Sequence, residues 1–360
     1  MNKKTIITVT GIRPDFIRMS NIFKLLDEHF NHILIHTGQH YSNTLSGIFF
    51  EELEIRKPDY NLEIGGPGKT HYHQNSELTV KLIDLIKDNN LQPLLILFLG
   101  DSNSVACAVS LKKEGHIIGH IEAGMRSGDK RMLEEINRTV CDHCTDYHFV
   151  YHDDYKNNLL KENLPAENIF VTGNTIVDVC SPYTPDLFKV IKRNDSILVD
   201  IHRPENFKYK DRLANIIDYA NTCGKLFNLP VRMLKFARTV SYIEEYSIQL
   251  GSIEMIDLMS YKKHLEAQYH SKFIISDSGT GQEEPALLNT PVIVPRDYTE
   301  RPQSVDSQCS FMLDVGTFTN DTWAQSISWL NSSPAINIQW LGKGDTAKTI
   351  VDILRSIIYN

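Results

Sequence analysis

No stretch of about 18 consecutive apolar residues occurs in this 360-residue chain, which argues against a membrane-spanning helix. No signal peptide is expected either. Met1-Asn2-Lys3-Lys4 is basic and an apolar run follows, but Arg13, Asp15 and Arg18 interrupt it and no small-residue cleavage site is evident, so the run reads as a first strand. Basic charge is not in excess: 37 Lys and Arg against 45 Asp and Glu leave a net charge of -8. That balance argues against a nucleic-acid surface, which needs a basic stripe, but leaves room for local basic pockets that hold a small anion. The six cysteines, Cys107, Cys141, Cys144, Cys180, Cys223 and Cys309, are scattered, as reduced thiols of a cytoplasmic protein would be. The Gly-x-Gly-x-x-Gly fingerprint does not follow the first strand, which counts against a dinucleotide redox site. No short internal repeat or low-complexity tract stands out.

What is present is an alternation of short β-rich apolar runs with longer amphipathic ones, the pattern of βαβ units and a parallel sheet. In the first half, strands are expected at 5–10, 32–37, 94–99, 117–121, 147–150 and 169–171, with helices at 16–30, 41–52, 77–87, 104–114 and 133–143. The pattern weakens through Ser181-Pro182-Tyr183-Thr184-Pro185 and restarts at 196–201. Further strands are expected at 231–236, 253–258, 273–276, 292–294 and 311–315, and a terminal helix at 346–358. At about 150 residues per domain the length suits two domains. The expected fold is α/β, with two Rossmann-like doubly wound domains facing a cleft. Residues 1–182 form the N-terminal domain with acid/base residues, 183–342 the C-terminal domain, and 343–360 a terminal helix.

Carboxylates at the ends of successive parallel strands converge on one crevice, where such folds bind ligands. Asp101 closes one apolar run, Glu122 closes the next, and Glu134 opens a helix that continues to Arg138. Clustered acids raise one another's pKa and suit acid–base chemistry, although Glu134 and Arg138, four apart, also suit a local helical ion pair. Gly11-Ile12-Arg13-Pro14-Asp15 follows the first strand. There, backbone N–H groups and the Arg13 fork match a phosphate, or else form a plain turn with a surface arginine. Asp277-Ser278-Gly279-Thr280-Gly281-Gln282-Glu283-Glu284 precedes another helix. Its glycines permit close backbone approach, and an acid there can take ribose hydroxyls or simply complement the helix dipole. His202, at a strand end beside Arg203 and Glu205, is a candidate proton donor or leaving-group stabiliser as well as a candidate structural histidine. Cys141-Asp142-His143-Cys144 resembles half a zinc site, but no second cysteine pair follows and no metal is expected. His71-Tyr72-His73 reads as a flexible loop near the cleft.

Taken in order, Gly11-Ile12-Arg13-Pro14, Thr37-Gly38-Gln39-His40, Gly100-Asp101-Ser102, His120 to Gly128, Glu134-Glu135-Ile136-Asn137-Arg138, Gly173-Asn174-Thr175, His202 to Asn206, Asp277 to Glu284 and Arg296 to Pro302 resemble the UDP-N-acetylglucosamine 2-epimerases, particularly the non-hydrolysing bacterial type. The resemblance runs from the first strand to the terminal helix. It implies a GT-B fold whose last helix crosses back to the N-terminal domain, a homodimer, a UDP-sugar substrate, no cofactor, and no nucleic-acid or membrane partner. It implies anti elimination of UDP to a 2-acetamidoglucal and re-addition with inversion at C2, converting UDP-GlcNAc to UDP-ManNAc for surface polysaccharide.

By the same resemblance Asp101, Glu122, Glu134 and His202 are catalytic. Arg13, Gln39, His40, Arg138, Ser278, Gly279, Thr280, Glu284 and Arg301 are substrate-binding. The segment between Asp129 and Glu134 is shorter than in common members and resembles relatives acting on modified 2-acetamido UDP-sugars. The Pro-Val-His and Arg-Gln-Thr segments of an activating second substrate site are missing, with Lys235 near that histidine's place. A hydrolysing 2-epimerase releasing ManNAc and UDP, a GT-B glycosyltransferase and a silent nucleotide-sugar binder are the alternatives.

Overall fold

In the first half of the chain, runs such as Thr5–Thr10 and Leu95–Leu99 are buried along almost their whole length, as strands covered on both faces by helices must be. The computed structural model describes residues 3–38, 50, 52–66, 68–316 and 320–359. Two compact units emerge, Met1–Val179 with Leu341–Asn360, and Cys180–Trp340.

Unit 1 contains β1 (Thr5–Thr10), β2 (Asn31–His36), β3 (Tyr60–Asn61), β4 (Leu95–Leu99), β5 (Ile118–Ile121), β6 (Tyr147–Val150) and β7 (Ile169–Val171). They form one parallel sheet of order β3-β2-β1-β4-β5-β6-β7. Unit 2 contains β8 (Ser196–Asp200), β9 (Val231–Leu234), β10 (Glu254–Ile256), β11 (Ser271–Ser276), β12 (Val292–Val294) and β13 (Ser310–Met312), ordered β10-β9-β8-β11-β12-β13 and also parallel. Both are doubly wound orders. Each reverses at one point, between β1 and β4 and between β8 and β11, and ligands of such sheets bind beyond the strand ends there. The segments after those strands are Gly11–Arg13, Gly100–Ser102, Ile201–Arg203 and Asp277–Gly279.

Three helices of unit 1 bear on the candidate site: α1 (Arg13–His29), α2 (His71–Asp88) and α3 (Leu133–Cys144). In α2, Leu78, Leu82 and Ile86 recur every fourth residue and are buried against Ile7, Val9, Ile35, Ile96 and Phe98 of the sheet. This helix begins six residues before the expected one. His71-Tyr72-His73 is therefore its first turn and not a flexible loop. Asn103 donates to the His71 ring at 3.0 Å and to Gln74 at 3.1 Å, which supplies the fixed partners that a sequence pattern does not reveal. The expected helix at 41–52 falls almost wholly outside the described residues. The two-residue strand β3 was not anticipated, because it is too short to show an alternation.

The last helix, α4 (Thr346–Tyr359), packs on α1. Tyr359 stacks on Phe30 with ring centroids 5.8 Å apart, and the Asp178 carboxylate caps the first turn by accepting from Thr346 N at 3.2 Å and Ala347 N at 2.6 Å. Unit 2 has its own core, in which Ile197, Val199, Phe273 and Ile275 of the sheet meet Ile216, Tyr219 and Ala220 of the helix Lys210–Phe227. Among the described residues no helix is long and apolar enough to cross a membrane.

Leu82 is fully buried, so Leu82→Ala leaves a cavity and is expected to cost about 2–5 kcal/mol in denaturant unfolding, whereas Val80→Ala on the exposed face of the same helix changes stability little.

Candidate active site

In unit 1, β4 and β5 are neighbours, so the residues just past their ends, Asp101 and Glu122, lie side by side. Arg138 on α3 fixes their spacing: its Nη2 donates to Asp101 Oδ2 and, at 2.9 Å, to Glu122 Oε1. Asn137, next on the helix, donates to the Asp101 carbonyl at 2.9 Å. Arg18 of α1 forms an ion pair with the other Glu122 oxygen. Two buried guanidinium groups thus hold one buried and one partly exposed carboxylate. Arg138 is fully buried, yet its Nε and Nη1 have no hydrogen-bond partner among the described residues. Buried donors are rarely left so in a native protein, and a bound ligand is one reason they are. Glu122 has φ of 68°, a left-handed conformation that costs a non-glycine residue of order 1 kcal/mol and persists where surrounding contacts enforce it.

Asp15 lies beneath this cluster. Its Oδ2 accepts from Gly11 N at 2.8 Å, Ile12 N at 3.1 Å and Ser102 Oγ at 3.4 Å. Burial, reinforced by Asp101, lifts its carboxyl to about 7 against the pull of those N–H groups and Arg18.

In unit 2, Asp200 ends β8 and His202 lies two residues on. The His202 Nδ1 is 2.7 Å from Asp200 Oδ1. Asp277, at the end of β11, accepts from His202 N at 3.0 Å, Arg203 N at 3.1 Å and Asn206 Nδ2 at 3.0 Å, and so ties the His202 turn to the neighbouring strand. Burial works against a charged His202 ring, but Asp200 and then Asp277 outweigh it and raise its pKa above the ordinary value. Among the described residues, Asp200, His202 and Asp277 offer ligand atoms within 4.8 Å of one another and could hold a metal ion. In the present arrangement they are engaged with one another and with those N–H donors.

Farther along, the Ser278 and Thr280 hydroxyls are 3.1 Å apart. A side chain at Gly279 would collide with Arg301, whose Nη1 is 2.7 Å from the position a Cβ would take. Arg301 itself is buried between Glu283, at 2.6 Å, and Glu300. Glu284 accepts from Gln268 at 3.0 Å, and burial raises its pKa.

Against this geometry stands the comparison with known proteins. The UDP-N-acetylglucosamine 2-epimerase family model matches residues 24–355. The chain belongs to that family. A Methanococcus maripaludis UDP-N-acetylglucosamine 2-epimerase is 32% identical over 366 residues, covering 96% of this chain and 97% of the relative. A Pseudomonas aeruginosa UDP-2,3-diacetamido-2,3-dideoxy-D-glucuronate 2-epimerase is 32% identical over 305 residues, covering 82% and 84%. The crystal structure of Methanocaldococcus jannaschii UDP-GlcNAc 2-epimerase in complex with UDP-GlcNAc and UDP has a TM-score of 0.88 at 30% identity, covering 98% of this chain and 99% of that one. By sequence and fold the protein is an enzyme of the UDP-N-acetylglucosamine 2-epimerase family, with the paired parallel-sheet units of the GT-B type.

Of the epimerase residues expected from sequence, Asp101, Glu122 and Arg138 come together directly. Glu134 is half-buried in the first turn of α3, one helical turn before Arg138, which reaches past its own helix to the two strand-end acids. Gln39 and His40 lie outside the described residues. Two expectations change. The Gly11 and Ile12 N–H groups are taken by Asp15 and are not open to a phosphate, although Arg13 remains half-buried at the start of α1. The helix after the Asp277–Glu284 run, Glu284–Leu287, is a single turn, so any anion there depends on the Ser278–Thr280 loop more than on a helix dipole. In the Cys141–Cys144 run, Asp142 pairs with His120 and Arg126, and His143 with Glu162.

Sequence reasoning passed over Arg18, Asp200 and the bracing role of Asp277. Asp200 was detectable, because residues two apart at a strand end share a face. Arg18 was not, because its partner is 104 residues away.

The Asp15 carboxyl keeps its proton in the folded state up to about 7 but loses it near 3.8 when unfolded, so this group removes stability as pH rises between those values. Asp15→Asn has no proton to lose. Its stability relative to wild type is expected to be higher at about pH 8 than at about pH 5, as read by denaturant unfolding.

Proposed function

We propose that the protein is a non-hydrolysing UDP-sugar 2-epimerase. It interconverts UDP-GlcNAc and UDP-ManNAc, or a modified 2-acetamido congener, in the cytoplasm for surface polysaccharide synthesis. The observation that carries this reading is the pair of strand-end carboxylates, Asp101 and Glu122, held by a buried Arg138 two of whose nitrogens have no partner among the described residues. A proton-transfer pair needs such fixed spacing, and a sugar offers acceptors for the remaining guanidinium N–H groups.

The C2 proton of a 2-acetamido sugar is not acidic, so its removal must be coupled to departure of the diphosphate. A carboxylate of the Asp101, Glu122 and Glu134 set takes the C2 proton. The C–H electron pair becomes the C1=C2 bond, and the C1–O pair leaves with UDP. A second carboxylate returns a proton to the opposite face of C2 while UDP re-adds at C1, inverting C2. His202, whose pKa its aspartates raise, bears a proton to stabilise the leaving diphosphate, with Arg13, Ser278 and Gly279 as further phosphate contacts. Thr280 adds a hydroxyl to that set, and Glu284 takes the ribose. Arg301 serves by holding the Gly279 loop from beneath, since Glu283 and Glu300 engage its donors. Similarity to the Pseudomonas aeruginosa relative supports keeping 2,3-diacetamido and uronate sugars in the substrate panel.

Incubation with UDP-GlcNAc in D2O, read by proton NMR and mass spectrometry, is expected to give UDP-ManNAc with deuterium at C2. Free ManNAc and UDP would instead place the protein with hydrolysing relatives. Asp101→Asn and His202→Ala are each expected to lower kcat by about 100-fold or more, and near-wild-type turnover in both would refute the assigned roles.

We also infer a homodimer. On α3, Leu133, Ile136 and Val140 are exposed at helical spacing, an apolar row suited to a second copy. Light scattering is expected to give twice the chain mass, and Ile136→Asp to shift it toward the monomer.

A further inference from the structure

His120 lies in the middle of the unit 1 sheet with no exposed surface. Its Nε2 is 2.7 Å from the Gly100 carbonyl and its Nδ1 is 2.7 Å from Asp142 Oδ1. A carbonyl only accepts, so Nε2 donates to Gly100, and with Asp142 ionised Nδ1 donates as well, which makes the ring an imidazolium. Asp142, one helical turn beyond Arg138 on α3, turns its other oxygen to Gly124 N at 3.0 Å and Arg126 Nη1 at 2.8 Å. Arg126 is held in turn by Glu162 through two bonds of 2.8 Å.

The two anchored backbone groups flank the two acids. Gly100 immediately precedes Asp101, and Gly124 follows Glu122 by two residues. Gly124 takes φ of 77°, and a Cβ there would collide with the Tyr155 carbonyl, so this stretch has one way to lie. Glu122 is itself left-handed and needs bracing on both sides. Glu122 N and Ala123 N donate to the Phe149 carbonyl on one side, and Asp142 holds Gly124 on the other. Arg138 spaces the carboxylate tips, whereas His120 and Asp142 space the backbones that carry them. A buried ion pair is poor evidence for stability, because an apolar pair of like volume often does as well. Its place directly behind a proton-transfer pair points to geometry as its use.

We propose that His120 and Asp142 are positioning residues, a buried imidazolium–carboxylate pair that sets the separation of Asp101 and Glu122. The assignment rests on the epimerase reading for its consequence in turnover, but not for the state of the pair itself. Burial would lower the pKa of His120, but Cys141 and Asp142 beside it outweigh burial and lift it to about 10. Burial would raise that of Asp142, but His120, then Arg126 and His148, hold it below the usual carboxylate range.

Asp142→Asn separates positioning from charge. With the His120 proton on Nε2, the ring still donates to Gly100. Nδ1 accepts from the new amide, whose oxygen still accepts from Gly124 and Arg126. Asp142→Ala abolishes the contacts to His120 Nδ1, Gly124 and Arg126 and leaves only the ring's bond to Gly100. In protein confirmed folded by circular dichroism, Asp142→Ala is expected to lower kcat by about 100-fold with KM little changed, and Asp142→Asn to restore most of it. A merely structural role would lower the folded fraction and leave kcat per folded molecule intact, which would overturn the proposal, as would an Asp142→Asn as impaired as Asp142→Ala.

Nitrogen NMR of histidine-labelled wild-type protein at about pH 8 provides the arm that does not need turnover. Two protonated nitrogens on His120, assigned by their loss in His120→Gln, support the pair, and a singly protonated ring overturns it. Wild-type protein inactive on every 2-acetamido UDP-sugar would count against the epimerase reading alone, with the NMR result still deciding the pair.

Discussion

A guanidinium cannot give up its charge, so burying one costs several kcal/mol unless carboxylates meet it. Arg138 has no exposed surface, and Asp101 and Glu122 meet it. The rest of unit 1 is arranged to make that meeting possible. The adjacency of β4 and β5 sets the two acids side by side, α3 carries the arginine over them, and α1 brings Arg18 to Glu122. The cluster can neither drift apart nor fill with water without stranding a buried charge. That stiffness is what the proposed proton transfer to and from one carbon would require, because a displacement of the order of 1 Å costs about 100-fold in rate.

Unit 2 handles its acids differently. Asp277 ties down backbone N–H groups at the His202 turn, Glu283 and Glu300 hold Arg301 under Gly279, and Glu284 sits among Gln268 and Tyr261. Adjacent members of one acidic run thus do separate jobs, because each faces a different neighbour. The one-turn helix that follows adds little field of its own. What this loop would offer the proposed diphosphate is its Gly279 backbone and the hydroxyls of Ser278 and Thr280.

Much of the architecture was legible in the order of the residues. The alternation of buried apolar runs with amphipathic ones is a local property of a chain whose sheets are covered on both faces, and strands such as Thr5–Thr10, Tyr147–Val150 and Val292–Val294 fall where that pattern places them. Asp101 and Glu122 were legible as well, since acids at the ends of successive parallel strands converge on one crevice, whereas Arg138 was marked only by its place in a family motif. What escaped were partners distant in the chain. His71 is helical because Asn103 and the sheet hold its helix, and the N–H groups of Gly11 and Ile12 are closed off by Asp15, whose protonation depends on burial that no local pattern records.

Composition, periodicity and motif order by themselves determined the α/β class, the doubly wound sheets, the family and the acids at the strand ends, because each is written in residues close together in the chain. Only the tertiary structure decided which acid meets which base. The pairing of Arg18 with Glu122, of His120 with Asp142 and of Arg301 with Glu283 depends on strand register and helix placement, and the charge each group carries follows from the water it has lost.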